Sequence, residues 1–413
     1  MAHHPTNKRK ILNDPVYGFI SLNHDILLDL IDHRFFQRLR RINQLGLTQL
    51  VYPGALHNRF HHAIGAMHLM SEAIEVIRQK GQEITDEEAQ GVLIAILLHD
   101  IGHGPFSHAL EHSLVEGVSH EEISALIMSR LNEEMDGRLE VAIRIFNNDY
   151  PKNFLHQLVS SQLDMDRLDY LRRDSFYTGV AEGNIGSERI IKMLNVANDE
   201  LVVESKGIYS IEKFIVSRRL MYWQVYLHKT VLSAEFMLVN ILKRAKWLAD
   251  NDIDIFASPV LKEFLYNRYG QDDFQKNPEL LDKFALLDDF DIMGAIKVWT
   301  SHEDKVLALL SKKLMNRELF KIRLQNEPIP KSEIEEKTAE LAKQLNLSEE
   351  DASYFVISRK IDNRAYNKAA ENIKIQFKDG TIKDATEASD NLNLNALSET
   401  VEKYFISYPV KEE

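Results

Sequence analysis

The sequence predicts a mainly α-helical fold with a small hairpin at its start and a smaller α+β lobe at its end. Three observations carry this. Glycine and proline are sparse, 17 and 10 in 413 residues, and neither occurs between residues 208 and 258. Apolar residues recur at mixed three and four spacing over most of the chain, the period of helices with a buried face. Period-two alternation is confined to two short stretches, near residues 11–22 and 372–382.

In chain order, residues 11–22 alternate loosely about Asp14-Pro15-Val16-Tyr17-Gly18, a turn signal inside a hairpin. Helical patterns cover 89–98, 121–131, 155–173 and 306–319. Within 208–258, Ile211, Phe214, Ile215, Leu220, Trp223 and Tyr226 predict one long, largely buried helix or two in tandem. Residues 325–332, with Pro328 and Pro330, read as a linker, and 332–345 as a charged amphipathic helix. Residues 372–382 alternate strictly and contain Asp379-Gly380, a hairpin signal. The expected organisation is a helical core over 1–245, a helical extension over 246–325 and an α+β lobe over 326–413.

Composition narrows the function. Hydrophobic residues at 44% and charged residues at 27% are globular values and exclude a wholly disordered chain. Fifty basic and 63 acidic residues give a net charge of −13, which disfavours a protein that coats nucleic acid. With no cysteine, there are no disulfides, thiolate zinc sites, Fe–S clusters or cysteine nucleophiles, and a reducing cytoplasm suits the chain. The most apolar run, 91–98, is far shorter than the ~18–20 residues that span a bilayer. Met1-Ala2-His3-His4 opens no signal peptide. A soluble, cytoplasmic protein without membrane association is expected.

Nine of the 16 histidines lie between His57 and His120, several times more than uniform scatter would place there. Histidine is the commonest metal ligand and proton shuttle at neutral pH. The aliphatic run Leu93-Ile94-Ala95-Ile96-Leu97-Leu98 ends abruptly in His99-Asp100-Ile101-Gly102-His103. A helix cap accounts for His99 and the glycine, but not for an aspartate behind a wall of aliphatics, which needs a compensating partner.

The His99-Asp100 doublet resembles that of HD-domain metal phosphohydrolases. That resemblance implies an HD-type helical catalytic core and a ligand set of His62, His99, Asp100 and Asp166. Two imidazoles and two carboxylates without a thiolate suit Mn²⁺, Mg²⁺, Fe²⁺ or Zn²⁺, with Mn²⁺ or Mg²⁺ favoured. The match extends through Gln37-Arg38-Leu39-Arg40-Arg41-Ile42-Asn43-Gln44-Leu45-Gly46, Tyr52-Pro53-Gly54-Ala55, His57-Asn58-Arg59-Phe60 and His99-Asp100-Ile101-Gly102-His103-Gly104-Pro105-Phe106-Ser107-His108. Together these resemble deoxynucleoside triphosphate triphosphohydrolases, the bacterial dGTPases and the vertebrate protein that joins a SAM domain to an HD domain. The resemblance runs from about Lys10 to Lys229 and weakens beyond.

It implies hydrolysis of a dNTP, dGTP favoured, at the α-phosphorus, giving deoxynucleoside and triphosphate. His108 with Glu111 is the expected proton-transfer pair, with His120 and His103 as further candidate acids. Arg59, Arg167 and Arg218 match phosphate-contacting positions. Gln44, Tyr170 and Asp174 match residues that bond the sugar 3′-OH, and Leu45 and Tyr226 match residues that crowd its 2′ position. Relatives imply a homo-oligomer, tetramer favoured, activated by a second dNTP at positions matching Lys10, Asn13, Asp32, Gln37 and Arg40. Two alternatives stay open. One is another HD phosphohydrolase, a nucleotide phosphodiesterase or guanosine polyphosphate hydrolase. The other is a regulator that binds nucleic acid on an HD fold, supported by the cluster Arg34, Arg38, Arg40 and Arg41; single-stranded nucleic acid is possible but not expected.

Overall fold

The computed structural model describes residues 10–106, 114–115, 117–363, 366, 372–390 and 399–410. The fold is mainly α. The hairpin at the start forms as the alternation predicts, from β1 (Lys10–Asp14) and β2 (Gly18–Leu22). Asp14 Oδ1 accepts the backbone N–H groups of Val16 and Tyr17 at 2.9 and 3.0 Å and shapes the turn. Two short helices follow, α1 (Asp25–Asp32) and α2 (Arg34–Gln37).

The centre of the molecule is α3 (Arg59–Gln79), packed against α4 (Asp86–Leu98) and, further along the chain, against α8 (Met165–Thr178). Both α3 and α4 start at capping boxes, Asn58 with His61 and Thr85 with Glu88. The residue His61, left without a role by its sequence, is therefore the N3 partner of a cap. From Val92 onward α4 is apolar all round because it is enclosed: Ala95, Ile96, Leu97 and Leu98 are fully buried. Each such leucine or isoleucine contributes about 1.5–3 kcal/mol of burial. The run therefore pins down the helix end that carries His99.

Between α4 and α8 lie α5 (His120–Glu134), α6 (Glu140–Phe146) and α7 (Asn153–Val159). The helical pattern over 155–173 is two helices, not one. Asp164 breaks it: its carboxylate accepts from Arg167 N at 2.7 Å and Ser161 N at 2.8 Å, which starts α8 afresh. That break puts Asp166 in the first turn of α8.

Past α9 (Ser187–Met193), β3 (Leu194–Ala197) and β4 (Glu200–Glu204), the glycine-free stretch resolves as two helices in tandem, α10 (Ile208–Met221) and α11 (Lys229–Asp250). They are bent by 56° across a π-turn at Tyr222–Tyr226, where Leu227 N reaches Tyr222 O at 2.7 Å. His228 then caps α11 by accepting from Thr230 N. Among the described residues no single helix is long and apolar enough to cross a membrane.

The region 246–325 is helical and includes α12 (Pro259–Tyr266), α13 (Gln271–Lys276), α14 (Pro278–Phe284), α15 (Asp289–Trp299) and α16 (Lys305–Met315), and it ends in β5 (Lys321–Gln325). The predicted charged helix is α17 (Lys331–Leu345), followed by α18 (Glu349–Ser353). Strand β6 (Ile357–Asn363) comes next, and the predicted hairpin is β7 (Lys374–Gln376) with β8 (Ile382–Asp384). A last strand, β9 (Val401–Tyr408), lies between β5 and β6. Strand β7 also pairs in parallel with β4, so residues 194–204 and 374–384 share one four-stranded sheet in the order β3-β4-β7-β8.

Candidate active site

Four side chains from three helices meet at one end of α4. His62 comes from α3, His99 and Asp100 from the end of α4, and Asp166 from the start of α8. His62 Nε2 lies 3.4 Å from His99 Nε2, 3.1 Å from Asp166 Oδ1 and 3.8 Å from Asp100 Oδ2. His99 Nε2 lies 3.3 Å from Asp100 Oδ1 and 3.6 Å from Asp166 Oδ1. Ligand atoms of His62, His99 and Asp166 lie within 4.8 Å of one another, and Asp100 adjoins them while also grouping with His103 and His120.

The protonation of the two imidazoles tests whether this cluster fits a metal. His99 Nδ1 is 2.6 Å from the Ile96 carbonyl, which can only accept, so that nitrogen carries a proton. His62 Nδ1 is 2.8 Å from Asp169 Oδ2, and the Asp169 carboxyl is held below its ordinary value: burial opposes this, but Arg173 and His62 outweigh it. Both Nε2 lone pairs therefore face each other and two carboxylates. A divalent cation between them would satisfy that arrangement, and the bonds from Asp166 and Asp169 that raise His62 against its burial show how strongly the cluster favours positive charge. Two nitrogen and two oxygen donors, each imidazole fixed from behind, fit a divalent metal.

The support behind His62 was not anticipated from sequence. Asp169, fully buried, also accepts from Arg173 Nε at 2.9 Å and Nη2 at 3.0 Å, and Arg173 Nη1 reaches Asp14 Oδ2 at 2.7 Å. Gly65 makes room for this: a Cβ there would sit 2.1 Å from both Arg173 Nη2 and Asp169 Oδ1. The signal was present but unread, since Asp166, Asp169 and Arg173 follow i, i+3, i+7 on one helix. Gly102 serves a similar end, where a Cβ would meet His120 O at 2.2 Å and Ser124 N at 2.3 Å. Its absence lets the start of α5 close on the loop after His99.

Of the expected proton donors, His108 and Glu111 lie outside the described residues. His120 opens α5 behind the Ser119–Glu122 capping box, and its ring stacks on His103 at 3.8 Å. His103 Nε2 is 3.3 Å from Asp100 Oδ1. Burial first, and Arg59 second, push the His103 imidazole down to about 3. Its contact with Asp100 lets it orient that carboxylate.

Two cavities adjoin the cluster. One, of about 560 Å³, is walled by His99, Asp100, Asp166, His120 and Arg167 among others. The other, of about 440 Å³, is walled by Gln44, Leu45, Phe106, Tyr222, Tyr226 and Glu235 among others. Both fall within the range of small-molecule sites. Arg59 joins them: it lines the second cavity, and its Nη1 bonds Asp100 Oδ2 at 2.6 Å. Gln44 Oε1 is shut off from solvent and has no hydrogen-bond partner among the described residues. Arg167 is held by Asp164 at 2.8 Å and Arg218 by Gln162 at 3.1 Å. The Tyr170 ring packs edge-on against Tyr226.

Asp174 is not a wall of the 440 Å³ cavity. At 1% exposure it stands behind Tyr226, whose hydroxyl donates to Asp174 Oδ2 at 2.7 Å, while His57 Nε2 lies 2.7 Å from Oδ1. His57 stacks on Tyr177 and is a further positioning residue that sequence reasoning passed over. The five residues expected to hold an activator engage one another in part. Lys10 Nζ approaches Asp32 at 3.4 Å, Arg40 Nε donates to Gln37 Oε1 at 2.9 Å, and Asn13 sits in β1 opposite Phe19.

The residues of the arginine cluster expected to favour nucleic acid each make contacts within the fold, and only Arg38 is buried. Arg38 is fully buried and donates to the carbonyls of Ile101 and His103. Arg34 pairs with Asp282 at 2.6 Å, Arg41 pairs with Asp288, and the Arg40 guanidinium lies 3.5 Å over the Phe60 ring.

A helical core holding a buried His/His-Asp/Asp cluster at a helix end defines a metal-binding hydrolase of the HD class. Residues 59–174 match the HD domain family and residues 185–256 the HD associated region. A crystal structure of a phosphohydrolase from Bacteroides thetaiotaomicron superposes with a TM-score of 0.94 at 57% identity, covering 97% of this chain and 100% of that one. The uncharacterized protein YwfO of Bacillus subtilis is 35% identical over 76% of this chain and 72% of its own length. A deoxynucleoside triphosphate triphosphohydrolase SAMHD1 homolog of Dictyostelium discoideum is 34% identical over 57% of this chain, which spans about half of that protein. The chain belongs to the HD-domain phosphohydrolase family.

Proposed function

We propose that the chain is a divalent-metal-dependent dNTP triphosphohydrolase, with dGTP favoured. Water adds its oxygen to the α-phosphorus, the bond from that phosphorus to the 5′-oxygen breaks, and deoxynucleoside leaves with triphosphate intact. One observation carries the reading. His99, Asp100 and Asp166 line one cavity with His62 buried behind them, and Arg59 links Asp100 to a second cavity walled by Gln44, Leu45 and Tyr226. A nucleotide has that division, a charged phosphate chain on one side of the reacting phosphorus and a sugar and base on the other.

His62 and His99 offer Nε2 atoms, and Asp100 and Asp166 carboxylate oxygens, to a divalent ion, Mn²⁺ or Mg²⁺ by donor type. When bound, such an ion supplies positive charge to the phosphate and acidifies water. Arg59, Arg167 and Arg218 offset phosphate charge. The departing 5′-oxygen needs a proton, which the reading assigns to His108, held by Glu111, with His120 as a second donor and His103 orienting Asp100. Gln44 and Tyr170 meet the 3′-OH, Asp174 presents Tyr226, and Leu45 and Tyr226 exclude a 2′-hydroxyl. Exclusion by packing discriminates only ~10²-fold. A homo-oligomer, tetramer favoured, and an activating dNTP at Lys10, Asn13, Asp32, Gln37 and Arg40 complete the proposal.

The test is turnover of the four dNTPs, singly and in mixtures, with Mn²⁺ or Mg²⁺ and again with chelator. Metal-dependent loss of dGTP supports the reading. Stability of all four nucleotides under every mixture overturns it.

A further inference from the structure

Helix α15 lies beyond both matched family segments, yet its first residue bonds the backbone of two residues that line the proposed substrate cavity. Asp288 and Asp291 form the capping box that starts α15, with Asp288 Oδ1 accepting from Phe290 N and Asp288 N donating to Asp291 Oδ2. Asp289 is left out of the cap and turns inward, 6% exposed. Its two carboxylate oxygens accept backbone N–H groups from two remote segments: Oδ2 from Asn43 at 2.9 Å and Oδ1 from Phe106 at 3.2 Å.

Asn43 and Phe106 both line the 440 Å³ cavity. Phe106 has φ of 49°, a left-handed backbone that a side chain adopts at a cost, and Gly46, on the other wall, has φ of 50°. The Asn43 segment is tied to the Asn58 segment, where Gln44 N donates to His57 O at 3.0 Å and Arg59 N to Ile42 O at 2.9 Å. The Phe106 segment is tied through Arg38 to the loop after His99. Asp289 is the carboxylate that joins the two. Burial raises its carboxyl to about 7 in spite of both N–H bonds, so holding an anion here costs stability.

We propose that Asp289 is a positioning residue for sugar selection: it fixes the Asn43–Gln44 wall against the Phe106 wall, and so sets the closeness with which Leu45 and Tyr226 judge the 2′ position. This deepens the dNTP reading and rests on it. A hydrogen-bonded tether of this kind sets distances to a few tenths of an ångström, the scale on which packing rejects a hydroxyl.

The experiment compares kcat/KM for dGTP and GTP in wild type, Asp289→Asn and Asp289→Ser. Asparagine keeps the shape but turns one acceptor into a donor that faces an N–H; serine keeps one acceptor in a smaller side chain. Ile292→Val, a fully buried core change on the same helix, is the control for stability alone. The expected result is that the dGTP-to-GTP ratio falls ~10-fold in Asp289→Asn, part of the ~10² available to packing. The fall comes mainly through a higher kcat/KM for GTP, with metal content unchanged, and the ratio stays at wild type in Ile292→Val. An unchanged ratio in whichever Asp289 variant folds, or an equal fall in Ile292→Val, overturns the proposal while leaving the dNTP reading intact. A wild-type protein that hydrolyses no dNTP removes the dNTP reading first, and the positioning claim falls with it.

Discussion

Replacing Asp169 with asparagine tests the metal site from behind, without touching a ligand. The carboxylate accepts three bonds, two on Oδ2 from His62 Nδ1 and Arg173 Nε, and one on Oδ1 from Arg173 Nη2. Asparagine has one acceptor oxygen. With that oxygen kept at the Oδ2 position, the His62 bond survives as a weaker, uncharged one and the amide nitrogen faces Arg173 Nη2. Partners of this kind are worth about 10–100-fold in metal affinity, and the surviving bond sets the expected loss at the lower end, about tenfold or 1.4 kcal/mol. Stability falls as well. Breaking a buried ion pair costs about 3–5 kcal/mol, and Asp14, still 2.7 Å from Arg173, keeps the loss near the lower figure. Calorimetric titration with Mn²⁺ measures the first quantity and urea unfolding the second. Saturating metal stabilises wild type by RT ln(1 + [L]/Kd), so the gain shrinks by about 1.4 kcal/mol for each tenfold loss of affinity. An Asp169→Asn protein that binds Mn²⁺ as wild type does would refute the argument that the second imidazole nitrogen sets the ligand.

Three further outcomes are expected. Glu88 is 5% exposed, and although burial opposes ionisation, its bonds to Lys152 at 2.7 Å, Thr85 N and Tyr150 hold its carboxyl below the ordinary value. The stability this confers is present above the unfolded pKa and is lost as pH falls through the folded one. Glu88→Gln should therefore lose about 1–3 kcal/mol in urea at pH 7 and little in strong acid; a loss independent of pH would contradict it. His108→Ala should cut kcat ~10²–10⁴-fold with metal retained, and a p-nitrophenyl ester, whose leaving group needs no proton, should recover part of the loss; equal loss on both substrates would point to positioning. A second dNTP should stimulate initial hydrolysis of dGTP, and Arg40→Ala should abolish the stimulation; stimulation that survives the substitution would move the activator elsewhere.

The parts of the molecule legible in sequence are those set by local pattern. Two hairpins were read from alternation around turn residues, and α4 from an aliphatic run too apolar for a surface helix. The His99-Asp100 doublet stood out because it interrupts that run, and His62 and Asp166 were added to it by the family resemblance. The break inside 155–173 carried its signal in Asp164 as a cap, but apolar spacing continues across it and hid the signal. The π-turn at Tyr222–Tyr226 had no glycine or proline to announce it. What stayed hidden depended on distance along the chain. Asp14 meets Arg173 across 159 residues and Asp289 meets Asn43 across 246, and nothing in the local sequence of either aspartate marks its partner. The partners of the arginine cluster were hidden for the same reason, since its acceptors at Ile101, Asp282 and Asp288 come from elsewhere in the fold.

The central claim is that this HD site cleaves at the α-phosphorus of a deoxynucleoside triphosphate. The most direct measurement is product identity. The metal-loaded protein is incubated with dGTP, alone and with each other dNTP, and the products are separated by ion-exchange chromatography. The account predicts deoxyguanosine and inorganic triphosphate in equal amounts, with no pyrophosphate and no dGMP. Pyrophosphate with dGMP, or dGDP with phosphate, would place the chemistry at a different bond and contradict it.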